Sequence, residues 1–153
     1  MRRRPGIELK SADQIRRMRR AGLVVGRTLA AVRAAAAPGV TTAELDAIAR
    51  EQIAAAGALS SFLGYGGGFG LRPFPAVTCS SVNSEIVHGI PGERVLASGD
   101  LVSVDFGVSI DGWHGDSAVT FGVGELSPEA SALSEATREA MWAGIASARI
   151  GGR

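Results

Sequence analysis

The stretch from Asp100 to Gly122 constrains the fold more than any other part of the chain. Its sequence, DLVSVDFGVSIDGWHGDSAVTFG, alternates polar and apolar residues on both sides of Asp111 and Gly112. Such alternation is typical of a half-buried strand, and an Asp-Gly pair is well suited to a two-residue hairpin turn. The stretch therefore predicts two antiparallel strands, with an apolar face on the first strand from Val102 to Val108.

Two aspartates fall on the opposite face of this hairpin. If the Asp-Gly pair forms the turn, Asp116 lies opposite Gly107 and Asp105 lies opposite Ala118. Both carboxylates then share one face, with their Cα atoms roughly 7–8 Å apart on a diagonal. That spacing suits a pair of divalent ions about 3.5–4 Å apart, although a bulge in either strand would break the parity. The geometry alone leaves a second interpretation open, two surface aspartates on an ordinary hairpin.

Two helices are predicted before the hairpin. From Ser11 to about Ala37, apolar or small residues recur at steps of three and four, which is typical of an amphipathic helix. A capping box at Thr41–Glu44 opens a second helix, which Gly57 closes. We expect an antiparallel helix pair that covers one side of an antiparallel sheet, and therefore an α+β fold. The stripe of the first helix comprises Ile15, Met18, Gly22, Val25, Leu29 and Val32.

A third helix is predicted after the hairpin. Ser127 is a suitable N-cap and Pro128 suits the first helical position, and the helix should run to about Arg149. Its expected inner side comprises Leu133, Ala136, Ala140, Met141 and Ala143.

The segment from Ser60 to Pro75 contains the glycine-rich run GYGGGFG. The run lacks the Lys-Ser/Thr ending of a phosphate-binding loop and no strand-then-helix context surrounds it, so it does not indicate a nucleotide site. We expect an adaptable pocket wall instead, with the alternative that some of its aromatic residues pack in the core. The aromatic residues available are Phe62, Tyr65, Phe69 and Phe74.

A short β-prone run at 75–82 leads to His88, which is followed by a glycine and, two residues later, by a proline. A lone histidine in such a turn is by itself more often structural than catalytic. The run also contains Cys79, the single cysteine of the chain, which excludes an internal disulfide and favours a reducing compartment.

Length and charge narrow the class of protein. At 153 residues, with 46% hydrophobic and 20% charged residues, the chain suits one soluble domain. The formal charge of +1 predicts neither membrane nor nucleic-acid binding, and no apolar window approaches a membrane span. We expect a cytoplasmic protein, with a basic tail at 1–10 and a single domain at 11–153. The basic residues within 1–20 indicate a solvated helix face, or a weak docking patch for an acidic partner such as ribosomal RNA.

Two stretches carry a family resemblance. FPAVTCSSVNSEIVHGIPG and SGDLVSVDFGVSIDGWHGDSAVTF closely resemble the type I methionine aminopeptidases of the pita-bread metallopeptidase superfamily, and the leading APGVTTAELD is similar to the amino-terminal region of that family. The motif N-x-E-x-x-H-G-I-P, followed by D-x-G and D-G-x-H-G-D, is specific. The resemblance covers nearly the whole chain and implies the first half of a pita-bread fold.

The resemblance also implies roles for individual residues. Asp105 would bind mainly one metal ion and Asp116 would bridge two, and a hydroxide between the ions would attack the first peptide bond. His88 matches the family histidine that contacts the scissile amide, a catalytic and substrate-orienting role. His114 is not a family ligand, and we expect it to be structural. The methionine side-chain pocket would be lined by Phe62, Tyr65, Phe74 and Cys79.

Two departures from the family pattern affect these expectations. The loop GGGFGLRP is longer than in compact type I enzymes, so the pocket wall is rebuilt. The second half of the family fold, with the other histidine ligand, two glutamate ligands and a second substrate-contacting histidine, has no counterpart here. We therefore expect a fragment or truncated copy with an exposed apolar face, weak or partial binding of two divalent ions (Co, Mn, Fe, Zn or Ni), and poor activity or none when alone.

By the resemblance, the function is metal-dependent removal of N-terminal methionine from nascent proteins. The implied partners are peptides with N-terminal methionine, nascent chains and the ribosome, without membrane or specific nucleic-acid binding, and the family is typically monomeric. Three alternatives stay open: a Xaa-Pro aminopeptidase of the same superfamily, a non-catalytic pita-bread module that binds peptides or proteins, and a pair of half-chains related by a twofold axis.

Overall fold

The predicted hairpin supplies two strands of the antiparallel sheet. The computed structural model describes residues 8–151, and its elements are named in chain order. The predicted basic tail at 1–10 lies largely outside the described residues. The helices are α1 Ala12–Ala35, α2 Thr42–Ala56 and α3 Pro128–Ser147, with a 3₁₀ turn at Gly67–Phe69. The strands are β1 Leu59–Ser60, β2 Thr78–Val82, β3 Leu101–Ile110 and β4 Trp113–Gly122.

The register of β3 and β4 confirms the prediction from the turn. Asp111 and Gly112 have φ values of 51° and 76°, the left-handed conformations that a tight hairpin turn of this kind requires. The strands then pair without a bulge from Ile110 opposite Trp113 to Leu101 opposite Gly122. Strands β1 and β2 both pair antiparallel with β3, so every named strand contacts β3.

One face of this sheet carries the core. The alternating residues of β3 from Val102 to Val108 are fully buried, as their spacing predicted. They belong to one apolar cluster with Val25, Leu29 and Val32 of α1 and with Leu45 of α2. The two helices therefore cover one face of the sheet, and the polar positions of β3 are left on the other.

Local sequence signals start and stop the first two helices. Ser11 and Gln14 form a capping box at the start of α1, and Thr41 and Glu44 form the predicted one at the start of α2. Gly57 ends α2 in the left-handed conformation, as expected.

The predicted stripe of α1 is wrong in its first half. Ile15 is 55% exposed, and the buried residues of the helix begin at Ala21. The reason is the position of the hairpin tip: Arg20 forms an ion pair with Asp111 at 3.1 Å, so the earlier turns of α1 extend beyond the sheet. At Gly115 the strand β4 touches the helix backbone, since an added Cβ would lie 2.7 Å from the amide nitrogen of Gly22.

The expected inner side of α3 is also wrong. The helix begins as predicted, with Ser127 capping the amide of Ala130 and Pro128 in the first turn, but none of its residues is buried. Leu133 is 63% exposed and Met141 is 51% exposed. The apolar spacing of α3 is real, but no element among residues 8–151 buries it. Within the same residues, no helix is both long and apolar enough to cross a membrane.

Candidate metal centre and pocket

Asp105 and Asp116 lie on the sheet face that the helices do not cover. Asp105 pairs with Ala118 and Gly107 pairs with Asp116 across β3 and β4, which is the register predicted from the turn. Positions two apart on one strand share a face, so both carboxylates project to the same side. The hairpin therefore brings the two predicted metal ligands together.

The environment of Asp105 disfavours its negative charge. Its Oδ1 atom is buried and has no hydrogen-bond partner among the described residues. Burial raises the pKa of Asp105 first, and the charge of the Asp116 carboxylate and a hydrogen bond with it raise the pKa further. The backbone amide of Phe106 and the His88 side chain act in the opposite direction. Asp105 thus has a buried carboxylate oxygen without a hydrogen-bond donor, and it lies beside a second carboxylate. A bound cation would stabilise the charged form of both groups.

The donor set among the described residues is incomplete. Within residues 8–151, no three histidine, cysteine, aspartate or glutamate side chains are grouped so as to hold a metal ion. Two carboxylates fit a hard or borderline divalent ion in chemistry, but they supply only part of the ligands that such an ion requires. The carboxylates of Asp105 and Asp116 therefore form part of a site that suits a divalent metal ion.

His88 reaches the same region through a constrained backbone. Its φ is 59°, a left-handed conformation that is uncommon outside glycine. The next residue, Gly89, lies directly against β2, where its carbonyl accepts from the Ser80 amide at 2.8 Å and its amide donates to Ser81 Oγ at 3.1 Å. A Cβ at Gly89 would lie 2.3 Å from the Ser80 carbonyl oxygen, so only glycine allows this approach.

A cavity of about 730 Å³ joins these groups. All seven predicted site residues line it, and its additional lining residues are Ser61, Ile90 and His114. The predicted site residues are Phe62, Tyr65, Phe74, Cys79, His88, Asp105 and Asp116. The cavity therefore combines a pair of carboxylates and a histidine with an aromatic, thiol-containing wall.

Cys79 is a neutral part of that wall. It pairs with Asp105 across β2 and β3 and is buried. Burial first, and then the charges of Asp105, Asp116 and Asp46, raise the pKa of the Cys79 thiol to about 11. The thiol is therefore protonated at neutral pH, and it offers a soft, apolar surface rather than a thiolate.

The glycine-rich loop closes on itself to present its aromatic residues. The amide of Gly64 donates to the Phe74 carbonyl at 2.8 Å, and the amide of Phe74 donates to the Tyr65 carbonyl at 2.9 Å. These bonds hold both ends of the loop beside the cavity. Phe69 is not a lining residue and is 78% exposed, with its ring centroid 6.3 Å from that of Tyr65.

The start of this loop is fixed by residues that no sequence motif placed in the site. Ser61 Oγ lies 3.1 Å from His114 Nδ1, and the Ser61 amide donates to the Gly107 carbonyl at 3.0 Å. His114 lies two positions before Asp116 on β4, so strand alternation would have placed it on the same face. No comparable sequence pattern indicates that Ser61 and Ile90 line the cavity.

A buried carboxylate on α2 fixes the strand that carries Cys79. Asp46 Oδ1 accepts from the Val77 amide at 3.0 Å, the Thr78 amide at 2.8 Å and Thr78 Oγ1 at 2.9 Å. Its Oδ2 atom accepts from Arg50 Nε at 2.7 Å. The helix position between Leu45 and Ile48 gave no indication of this role.

The chain is similar to known metallopeptidases over most of its length. The model of metallopeptidase family M24 matches residues 16–153. A curated relative, methionine aminopeptidase 1 of Mycobacterium tuberculosis, is 53% identical over 145 residues, which are 94% of this chain and 52% of the relative. The chain thus spans about half the length of the curated relatives it matches.

Solved structures agree with the fold. A methionine aminopeptidase from Thermotoga maritima superposes with a TM-score of 0.80 at 36% identity, over 88% of this chain and 52% of that one. A streptococcal methionine aminopeptidase gives a TM-score of 0.88 at 28% identity, over 95% of this chain and 60% of that one. These similarities confirm the α+β fold with an antiparallel sheet and covering helices, as part of the pita-bread architecture.

Proposed function

The chain belongs to metallopeptidase family M24, and from that premise we propose that it carries part of the active site of a metal-dependent aminopeptidase that removes N-terminal methionine from newly made proteins. The observation that carries the proposal is the convergence of Asp105, Asp116 and His88 on one apolar-walled cavity. The relatives named as methionine aminopeptidases support the substrate class.

Asp105 and Asp116 are the residues that would hold divalent metal. Bound metal ions would lower the pKa of a water and polarise the substrate carbonyl, which is the chemistry that peptide-bond hydrolysis needs. Candidate ions are Co, Mn, Fe, Zn and Ni, since carboxylate oxygens accept several of them. Because Asp105 and Asp116 are the two candidate carboxylate ligands within the described residues, we propose that the 153-residue chain binds divalent metal weakly.

The remaining lining residues bind and orient the peptide. His88, held in its left-handed conformation, would donate to or accept from the scissile amide. The apolar wall would receive the methionine side chain, and it is formed by Phe62, Tyr65, Phe74 and Cys79. The neutral Cys79 thiol and the aromatic rings suit a flexible, polarisable thioether.

Further proposals concern the cellular context. The single cysteine supports a reducing compartment, which we propose to be the cytoplasm. The proposed partners are nascent chains with N-terminal methionine, presented at the ribosome. Exposed arginines on the first turns of α1, among them Arg16, Arg17 and Arg19, support contact with an acidic partner.

Isothermal titration calorimetry of the purified chain with Mn²⁺ tests the proposed site. We expect weak binding by the wild-type chain that is lost in Asp105→Asn and Asp116→Asn. Glu139→Gln, an exposed carboxylate on α3, is the matched control and should bind as the wild type does. Equal Mn²⁺ binding by all four proteins would contradict the proposed site.

Peptide hydrolysis tests the activity of the chain on its own. We propose that the 153-residue chain does not release methionine from a Met-Ala-Ser peptide, because its carboxylate pair is an incomplete ligand set. Free methionine measured by chromatography after incubation with Mn²⁺ or Co²⁺ decides this point. Release that depends on Asp116 would show that the chain is sufficient for activity.

A further inference from the structure

Strand β2 carries Cys79 to the cavity, but the sequence of the strand does not by itself determine which residues face the cavity. The first, third and fifth residues of β2 pair with the buried face of β3, and the second and fourth pair with the face that carries Asp105. All five residues are buried, and both faces consist mainly of small or polar side chains. A one-residue slip would exchange the two faces and turn Cys79 towards the core. The apolar pattern of β2 gives little protection against such a slip.

Asp46 holds the start of β2 from the core side of the sheet. Its Oδ1 atom accepts hydrogen bonds from the amides of Val77 and Thr78 and from the Thr78 hydroxyl. Thr78 pairs with Phe106, whose side chain is fully buried in the core. The carboxylate on α2 therefore reaches the threonine hydroxyl while that side chain faces the core. In the slipped register the thiol of Cys79, a weak donor, would take the place of the hydroxyl.

The far end of β2 has a separate anchor. The Asn83 amide donates to the Leu101 carbonyl at 2.9 Å, and the Leu101 amide donates to Asn83 Oδ1 at 2.9 Å. These bonds hold Val82 opposite Val102. The start of β2 instead follows the segment that contains the glycine-rich run, so the register there depends on the carboxylate from α2.

The register of β2 also determines where His88 lies. The Ser80 amide donates to the Gly89 carbonyl at 2.8 Å, and the Gly89 amide donates to Ser81 Oγ at 3.1 Å. Gly89 directly follows His88 in the chain, so a shift of β2 would move the histidine together with Cys79. Two residues of the cavity therefore depend on the register of one short strand.

We propose that Asp46 is a positioning residue of the cavity: it fixes the register at the start of β2, and thereby places Cys79 and His88 at the cavity. This role rests on the proposed function, because Asp46 would act on the peptide through these two residues. Asp46 is 5% exposed and is not among the lining residues of the cavity, so it would itself touch neither metal nor peptide.

The role predicts a change of strand pairing in Asp46→Ala. Without its acceptor the start of β2 would populate the slipped register, in which Cys79 no longer lies opposite Asp105, while β3 and β4 stay paired. Asp46→Asn keeps an oxygen acceptor and should therefore keep the native register. A role limited to stability would lower the free energy of unfolding of Asp46→Ala without changing which residues pair in its folded state.

Cross-strand nuclear Overhauser effects in the isotope-labelled, metal-free 153-residue chain measure this pairing. We expect effects between Cys79 and Asp105 in the wild type, in Asp46→Asn and in the control Glu51→Ala, an exposed position on α2. In Asp46→Ala we expect these effects to be lost or to be divided between two registers.

The far end of the same strand is an internal reference. Effects between Val82 and Val102 should persist in all four proteins, because the bonds of Asn83 do not involve Asp46. Their loss in Asp46→Ala together with those of Cys79 would show unfolding of the whole strand and would contradict a role confined to its start.

Two results would refute the role directly. One is a folded Asp46→Ala chain that shows only the native pairing of Cys79 with Asp105, and the other is an Asp46→Asn chain that loses this pairing. If Asp46→Ala does not fold in buffer, its spectra are recorded in trimethylamine N-oxide, which favours compact states through its exclusion from the protein surface, and Asp46→Asn tests the role in either case. The spectra require neither metal nor peptide, so they decide the role of Asp46 even if the wild type binds no Mn²⁺ and the proposed metal site is contradicted.

Discussion

Removal of the Asp46 carboxylate should strongly destabilise the chain, because it leaves buried donors without their acceptor. In Asp46→Ala the amides of Val77 and Thr78 and the Thr78 hydroxyl all lose their acceptor. Val77 and Thr78 are both buried, so water does not easily replace the lost hydrogen bonds. A buried donor without a partner costs about 1–3 kcal/mol. With partial relaxation around three such donors, we expect a loss of about 3–5 kcal/mol in the free energy of unfolding.

Two variants divide this loss into its parts. Asp46→Asn keeps an oxygen acceptor for β2 but removes the charge, and it should cost about 1–2 kcal/mol because charge-assisted hydrogen bonds are the stronger ones. Arg50→Ala removes a half-exposed partner, whose pair with Asp46 is 2.7 Å long, and should cost about 1 kcal/mol. Glu51→Ala, an exposed position on the same helix, is the control and should change stability by less than about 0.5 kcal/mol.

Urea denaturation followed by circular dichroism measures these differences. A second readout is the labelling rate of Cys79 by a thiol reagent under native conditions, since Cys79 follows Thr78 on the anchored strand and is 6% exposed. We expect faster labelling in Asp46→Ala than in Arg50→Ala. Equal stability of Asp46→Ala and Asp46→Asn would refute this prediction, because the three donors to Oδ1 would then contribute nothing.

Three further predictions concern the site and its supports. Burial and the Asp116 carboxylate raise the pKa of Asp105 in the folded, metal-free chain. The contribution of Asp105 to the free energy of unfolding is therefore present below its ordinary pKa, and it is lost as the pH rises through the pKa of the folded state. Asp105→Asn should therefore be more stable than the wild type at pH 7 and lose that advantage at pH 3, as thermal midpoints would show; a pH-independent difference would exclude this origin. Gly89→Ala should cost about 2–3 kcal/mol, because its Cβ would lie 2.3 Å from the Ser80 carbonyl oxygen, and urea midpoints unchanged from the wild type would contradict that contact. Gly115→Ala should cost about 1–3 kcal/mol by forcing β4 away from α1, with calorimetric unfolding as the measurement and a neutral result as the refutation.

Local chemistry explains why much of the fold was predictable. The Asp111 and Gly112 turn fixes the register of ten residues on each strand, since a two-residue loop leaves a single pairing that keeps the apolar faces together. The capping box at Thr41 and the left-handed Gly57 likewise depend on neighbouring residues only. Predictions that rest on such short-range rules were confirmed.

Features that depend on distant residues were not predictable in the same way. Burial of α1 begins at Ala21 because of where the hairpin tip lies, and the apolar spacing of α3 does not reveal that none of its residues is buried. Asp46 and Ser61 take their roles from partners 31 and 53 positions away along the chain. Periodicity describes which face of an element is apolar, but contacts of this kind require the folded arrangement.

The same distinction explains the site itself. A strand places alternate residues on one face, so the turn alone determines that Asp105 and Asp116 project together. Proximity of two carboxylates is unfavourable without a cation, and the backbone amide of Phe106 and the His88 side chain offset it only in part, since the Oδ1 atom of Asp105 has no hydrogen-bond partner among the described residues. The Asp105 and Asp116 carboxylates therefore have an unfavourable electrostatic energy, a cost to stability in the metal-free chain. A bound divalent ion would remove that cost, so metal should stabilise this chain in proportion to how well its two carboxylates can hold it.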